Sequence, residues 1–148
     1  MAMSFIYTRC DNPCKCARAA TTLAGLQREL DRLGWTDRVR LCLVTYDPDY
    51  DTPARLAEYA RRMGYRLDQD NLMIQLDPGD RDRFFRELDV AVNFNSSGVK
   101  IHGIQLMLFD RAGRLARVYH TLIWDNRLVV EDLEKLAAEP EVSPGKEP

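Results

Sequence analysis

Short apolar runs alternate with longer amphipathic ones along most of this chain, and that alternation limits its fold more than any single residue does. Met3 to Thr8 is brief, apolar and aromatic and ends at polar Arg9, the pattern of a buried strand. From about Ala17 to Leu33 the positions Leu23, Leu26, Leu30 and Leu33 recur at helical spacing, and Gly34 then stops the helix. Val39 to Thr45 is a second strand. Asp51-Thr52-Pro53 has the form of a helix start, and the helix runs to about Met63 with Leu56, Tyr59, Ala60 and Met63 on one face before Gly64. A short strand at Leu72 to Leu76 and a helix at Asp80 to Leu88, with Phe84, Phe85 and Leu88 inward, come next. A polar stretch, Asn93 to Gly98, leads into a strand at Ile104 to Phe109. Asp110 to Gly113 forms a hairpin connection to Leu115 to Tyr119, and Leu128 to Ala138 is a final helix.

Helical crossovers make parallel neighbours and the hairpin adds an antiparallel pair, so the expected fold is α/β with a mixed sheet and helices on both faces. The 148 residues suffice for one domain, expected over 1–138. Residues 139–148, with three prolines, are predicted to be a disordered tail. The net charge is −2, and arginines alternate with acids, as at Arg28-Glu29 and Arg86-Glu87. That pattern describes a solvated helix face and excludes a nucleic-acid surface. No apolar run approaches the roughly 20 residues of a membrane span. No signal peptide precedes the first strand, so the chain as given is expected to be soluble. A strand opening so early suggests an upstream segment that was trimmed or never cloned.

The chemistry concentrates in one turn. Three of the four cysteines, Cys10, Cys14 and Cys16, lie within seven residues at a strand-to-helix junction, which points to redox or metal chemistry rather than to a disulfide framework. Unpaired backbone N–H groups and the helix dipole at such a place favour thiolate over thiol. Thiolate both attacks disulfides and binds metal, so position alone supports either chemistry. Cys10 and Cys14 are separated by three residues, Cys10 and Cys16 by five, and Cys14 and Cys16 by one. Thioredoxin-type oxidoreductases use two intervening residues. A wider loop can set two sulfurs on opposite sides of a soft ion, and thiolates select Cu(I). Cys42, between Leu41 and Leu43 in mid-strand, reads as a core residue.

Phe5-Ile6-Tyr7-Thr8-Arg9-Cys10, followed by a second cysteine opening a helix, resembles the Sco/SenC family of copper-binding, thioredoxin-fold proteins. Val44-Thr45-Tyr46-Asp47-Pro48-Asp49-Tyr50-Asp51-Thr52-Pro53 is similar to the family's second signature. His102, just before the strand at Ile104 to Phe109, falls where the family has its histidine ligand. The resemblance runs from about Phe5 to Ala138. It implies a thioredoxin-like three-layer sandwich with a mixed central sheet, and copper, as Cu(I) or Cu(II), held by two cysteines and one histidine. It further implies a metallochaperone that aids assembly of the copper centre of cytochrome c oxidase, outside the cytoplasm and on a membrane anchor. The partners implied are the oxidase subunit carrying that centre, or another copper protein, and a thioredoxin-like reductant.

The chain departs from the family pattern in places. Proline follows neither cysteine, Ile101 rather than an aspartate precedes His102, and the family's earlier N-terminal strands are missing. The family's usual three-residue interval fits Cys10 and Cys14, whereas a bacterial branch with five residues fits Cys10 and Cys16. The placement of Leu26-Gln27 after Cys16 matches that branch too. By this resemblance Cys10 and Cys16 are the expected pair, Cys14 an additional thiol of the site, and His102 the third ligand. As a neutral imidazole in a loop beside the first strand's carboxyl end, His102 can complete a three-coordinate site. His120, near Trp124, reads as a surface residue. Asp51 is expected to act in helix capping and loop hydrogen bonding, and Asp47 to support the cysteine loop.

The competing function is a thiol–disulfide oxidoreductase, with Cys10 attacking and Cys14 or Cys16 resolving. Such enzymes carry a cis-proline facing their cysteines, and no proline occurs between Pro78 and Pro140. A peroxidase of the same fold needs a threonine and an arginine around its cysteine, for which Thr8 and Arg9 are too little.

Overall fold

A computed structural model describes residues 1–95, 98–121 and 124–139. In chain order the elements are β1 (Ala2–Ile6), a π-helical turn (Pro13–Ala17), α1 (Arg18–Arg32), β2 (Leu41–Thr45), α2 (Pro53–Met63), β3 (Asn71–Ile74) and α3 (Arg81–Glu87). They continue as β4 (Val92–Asn95), β5 (Gly98–His102), β6 (Leu106–Phe109), β7 (Leu115–Tyr119) and α4 (Asn126–Ala138). The predicted tail lies, beyond Glu139, outside the described residues.

The main sheet has the order β3-β2-β1-β6-β7. β1 pairs in parallel with β2 and β2 with β3, while β6 runs antiparallel to β1 and β7 antiparallel to β6. The sheet is therefore mixed, as the order of crossovers and hairpin requires. β1 is central and buried along its whole length, because both of its faces are covered. One face presents Ala2, Ile6, Leu41, Leu43, Leu106 and Leu108 to α1, α2 and α4. The other presents Met3, Phe5, Val44 and Met107 to Phe85 of α3. Cys42 belongs to this second layer, almost fully buried, and burial pushes its thiol pKa up.

Local chemistry explains the helix limits. Thr52 caps α2, accepting from Arg55 N–H at 3.4 Å, Pro53 fills the first turn, and Gly64 ends the helix at φ +67°. Gln27 of α1 makes paired bonds with the Arg66 backbone at 2.8 and 2.9 Å, tying α1 to the chain leaving α2.

The stretch after α3, read from the sequence as polar loop, instead contains a second sheet. β4 and β5 form an antiparallel ribbon, with Val92 opposite His102. His102 therefore ends a strand rather than lying in a loop. Asn93, Asn95 and Gly98 have loop chemistry, yet β4 and β5 supply each other's pairing partners.

Candidate metal centre

The cysteine turn is built by capping. Asn12 accepts the Cys14 N–H at 2.9 Å through its side chain, and Pro13 opens the helical path without needing a donor. The path begins with one π-helical turn and passes directly into α1. The helical structure thus starts four residues before the predicted Ala17. Single π turns occur frequently at functional sites. Here the turn buries Cys16 completely and leaves Cys14 exposed.

Across the turn stands the end of β5. The donor atoms of Cys10, Cys16 and His102 all lie within 4.8 Å of one another. His102 Nε2 is 4.0 Å from Cys10 Sγ and 3.7 Å from Cys16 Sγ. Its Nδ1 is 3.0 Å from the Gly103 carbonyl oxygen. A carbonyl can only accept, so Nδ1 carries the proton and the Nε2 lone pair faces the two sulfurs. This is the tautomer a metal ligand needs. The Gly103 oxygen also accepts from the Tyr46 hydroxyl at 2.9 Å, and Gly103 N–H donates to the Ala91 carbonyl at 3.1 Å. Tyr7 stands edge-on to the imidazole at 5.3 Å and Tyr46 is tilted against it at 5.0 Å. The ring is 7% exposed and can turn little.

The two thiols are electrostatically unequal. Hydrogen bonding from the Cys16 thiol and from the backbone N–H groups of Cys16 and Asn12 holds the half-buried Cys10 pKa well below the usual thiol range. The hydrogen bond to Cys10 and complete burial push Cys16 in the opposite direction. The pair therefore shares one negative charge, centred on Cys10. Burial and then the charge at Cys10 push the Tyr7 pKa up to about 12.

Two aspartates brace this turn from the end of β2. Asp51, completely buried, accepts from the Thr8 N–H at 3.1 Å and from the Thr8 and Thr45 hydroxyls. The helix cap expected of Asp51 belongs instead to its neighbour Thr52, because the Asp51 carboxylate faces β1. Asp47 pairs with the Arg9 guanidinium and thus holds the residue that leads into Cys10. The support predicted for Asp47 is present. Cys14 is outside the Cys10–Cys16–His102 group, and His120 is an exposed residue beyond β7. The sequence reading missed Tyr7, Tyr46 and Gly103. Tyr46 carried a signal, as a large aromatic placed directly before the Asp-Pro turn.

Two thiols and an imidazole of fixed tautomer make a three-donor site that suits a soft ion such as copper. A mixed, helix-covered sheet with this trio at the end of its central strand defines a class: thioredoxin-like domains in which a histidine faces the cysteine pair. Within that class, the SCO1/SenC family model matches residues 1–138, and the chain belongs to that family. No curated protein matches the sequence. Among solved structures, a SCO1/SenC family lipoprotein from Bacillus anthracis superposes with a TM-score of 0.77 at 22% identity, covering 92% of this chain and 81% of that one. ScoI from Bradyrhizobium japonicum, with copper bound, gives 0.72 at 20% identity over 91% and 83%. BsSco, of the Sco family of cytochrome c oxidase assembly proteins and described as having a disulfide switch, gives 0.74 at 18% identity over 93% and 79%. These likenesses bear out the thioredoxin-like fold. Among the described residues no helix is long and apolar enough to cross a membrane.

Proposed function

We propose that this chain is a copper metallochaperone of Sco type, and that Cys10, Cys16 and His102 are its copper ligands. One observation carries the assignment: the Gly103 carbonyl holds His102 with its Nε2 lone pair toward both sulfurs. A site used only for disulfide exchange has no need of a third donor aimed at its thiols. Copper is the cargo. The shared charge on the thiol pair prepares one thiolate in advance, and copper binding releases the second proton from Cys16. Cys14, exposed on the π-helical turn, is outside the proposed ligand set and stands as an additional thiol at its edge.

Membership of the family supports a role in assembling the copper centre of cytochrome c oxidase. The acceptor in this reading is the oxidase subunit that carries the centre, and a thioredoxin-like reductant keeps Cys10 and Cys16 as thiols. The site of action is extra-cytoplasmic and membrane-facing, consistent with a lipoprotein among the structural relatives. A second reading, thiol–disulfide exchange with Cys10 attacking and Cys16 resolving, is favoured by the low pKa of one thiol and the high pKa of its buried neighbour.

Copper titration of the reduced chain separates the two readings. One equivalent is expected to bind to the parent. Cys10→Ser, Cys16→Ser and His102→Ala should each lose that binding by tenfold or more, and Cys14→Ser should retain it. A parent chain that binds no copper yet reduces a model disulfide would establish the second reading.

A further inference from the structure

A cleft of about 360 Å³ opens beside the cysteine turn, walled by Thr8, Arg9, Tyr50, Arg55, Tyr59 and Arg62. Thr8 and Arg9 lead directly into Cys10, so anything seated there lies next to the half-exposed member of the thiol pair. The guanidinium carbons of Arg9 and Arg55 each lie 4.0 Å from the centroid of the Tyr50 ring. These stacked contacts present a rigid, cationic wall.

Charge around the cleft is unbalanced. Arg9 is matched by Asp47, and Glu58, the acidic side chain of the wall, is matched by Arg61. Arg55 donates to the Tyr50 carbonyl at 2.6 Å, which is no counter-charge. Neither Arg55 nor Arg62 is in ion-pair contact with a carboxylate among the described residues, and Arg62 acts on Glu58 only at longer range than Arg61 does. The chain as a whole has a net charge of −2, so a local surplus of cations is not a by-product of a basic protein. A second observation points the same way. Tyr59 is 7% exposed, and its buried hydroxyl has no hydrogen-bond partner among the described residues. A buried donor left unsatisfied is costly, and Tyr59 is one of the residues that wall the cleft.

We infer that this cleft is a docking site for an acidic segment of the protein with which the copper centre exchanges its ion. The inference rests on the proposed function for the existence of that exchange, and on the cleft's own chemistry for the partner's character. Carboxylates suit the Arg55 and Arg62 forks, and an apolar or aromatic residue beside them would meet the Tyr50 ring. Docking here sets the partner's metal ligands beside Cys10 and leaves Cys16 and His102 to release the ion last.

The test is an amide-resolved NMR titration of the full, reduced chain with a hexaglutamate peptide. Hexalysine and sulfate serve as controls. Saturable shifts confined to the amides of the cleft are expected, weakening sharply between low salt and 0.5 M salt. The Arg55→Gln/Arg62→Gln double variant should lose affinity at least tenfold, while Arg127→Gln, whose partner Asp125 lies outside the cleft, should keep it. Shifts scattered over other arginine-bearing faces, equal affinity in the double variant, or sulfate binding as tightly as the peptide would each overturn the assignment. Copper stoichiometry is read on the same samples. Loss of copper binding refutes the proposed function, and loss of peptide binding with copper intact refutes the cleft.

Discussion

Replacing Tyr46 by Phe removes one oxygen atom from the support of His102 and alters nothing else by size. Tyr46 is fully buried, and its hydroxyl donates to the Gly103 carbonyl at 2.9 Å. That carbonyl keeps its second donor, His102 Nδ1 at 3.0 Å, so the substitution leaves no buried acceptor orphaned. The expected loss of stability is therefore that of one net hydrogen bond, about 1 kcal/mol, rather than the larger penalty of an unsatisfied group. For a domain of this size that lowers Tm by about 3 °C. Groups that orient a metal-ligating histidine typically change metal affinity by about 10- to 100-fold when removed. Tyr46 acts one bond further out, through the Gly103 oxygen, which places the effect near tenfold, or about 1.4 kcal/mol. Copper affinity measured against a competing chelator, with Tm followed in parallel, checks both numbers. Unchanged copper affinity with the expected drop in Tm would show that the Gly103 carbonyl holds the imidazole without Tyr46. The aromatic support would then have no part in the metal site.

Asp51 gathers three hydrogen bonds at a point with no access to water. Asp51→Ala should cost about 2–4 kcal/mol in urea denaturation, because it strands the Thr8 N–H and the two hydroxyls; a loss under 1 kcal/mol would mean that they find other partners. A third expectation concerns pH. The folded Cys10 pKa lies below that of a free thiol, so its thiolate persists as pH falls from 9 and is lost only on passing through the lowered value. Alkylation of Cys10 by iodoacetamide should accordingly change little between pH 9 and pH 7, while that of the denatured chain falls steeply. Buried Cys16, pushed the other way, should stay unreactive throughout. A Cys10 profile that tracks the denatured chain would contradict the charge distribution described for the pair.

Much of the architecture was legible because it rests on long periodic runs. α1 and α2 show their buried faces at helical spacing, and Gly34 and Gly64 both take positive φ where the helices stop. β1 and β2 are apolar on both sides because both layers cover them. What stayed hidden was local or three-dimensional. The π-helical turn has no periodicity of its own, and the β4–β5 ribbon is written in turn-forming residues. Asp51 and Thr52 are neighbours with equal capping chemistry, and only the approach of Thr8 decides that the aspartate faces β1. At the site, Cys10 and His102 could be named from motif and position. The Tyr7–Tyr46–Gly103 cradle could not, since a carbonyl oxygen leaves no trace in a side-chain pattern. Nor could the cleft over Tyr50, which needs Arg9 and Arg55 brought together across the loop that follows β2.

The central claim is that one imidazole and two particular thiols bind copper. X-ray absorption of the copper-loaded, reduced chain reads the ligand atoms directly. Two sulfurs and one imidazole nitrogen are predicted for the parent and for Cys14→Ser, with the nitrogen lost in His102→Ala. A sulfur-only shell in the parent, with a third sulfur that disappears in Cys14→Ser, would contradict the account and move the site from the buried pocket to the exposed face of the turn.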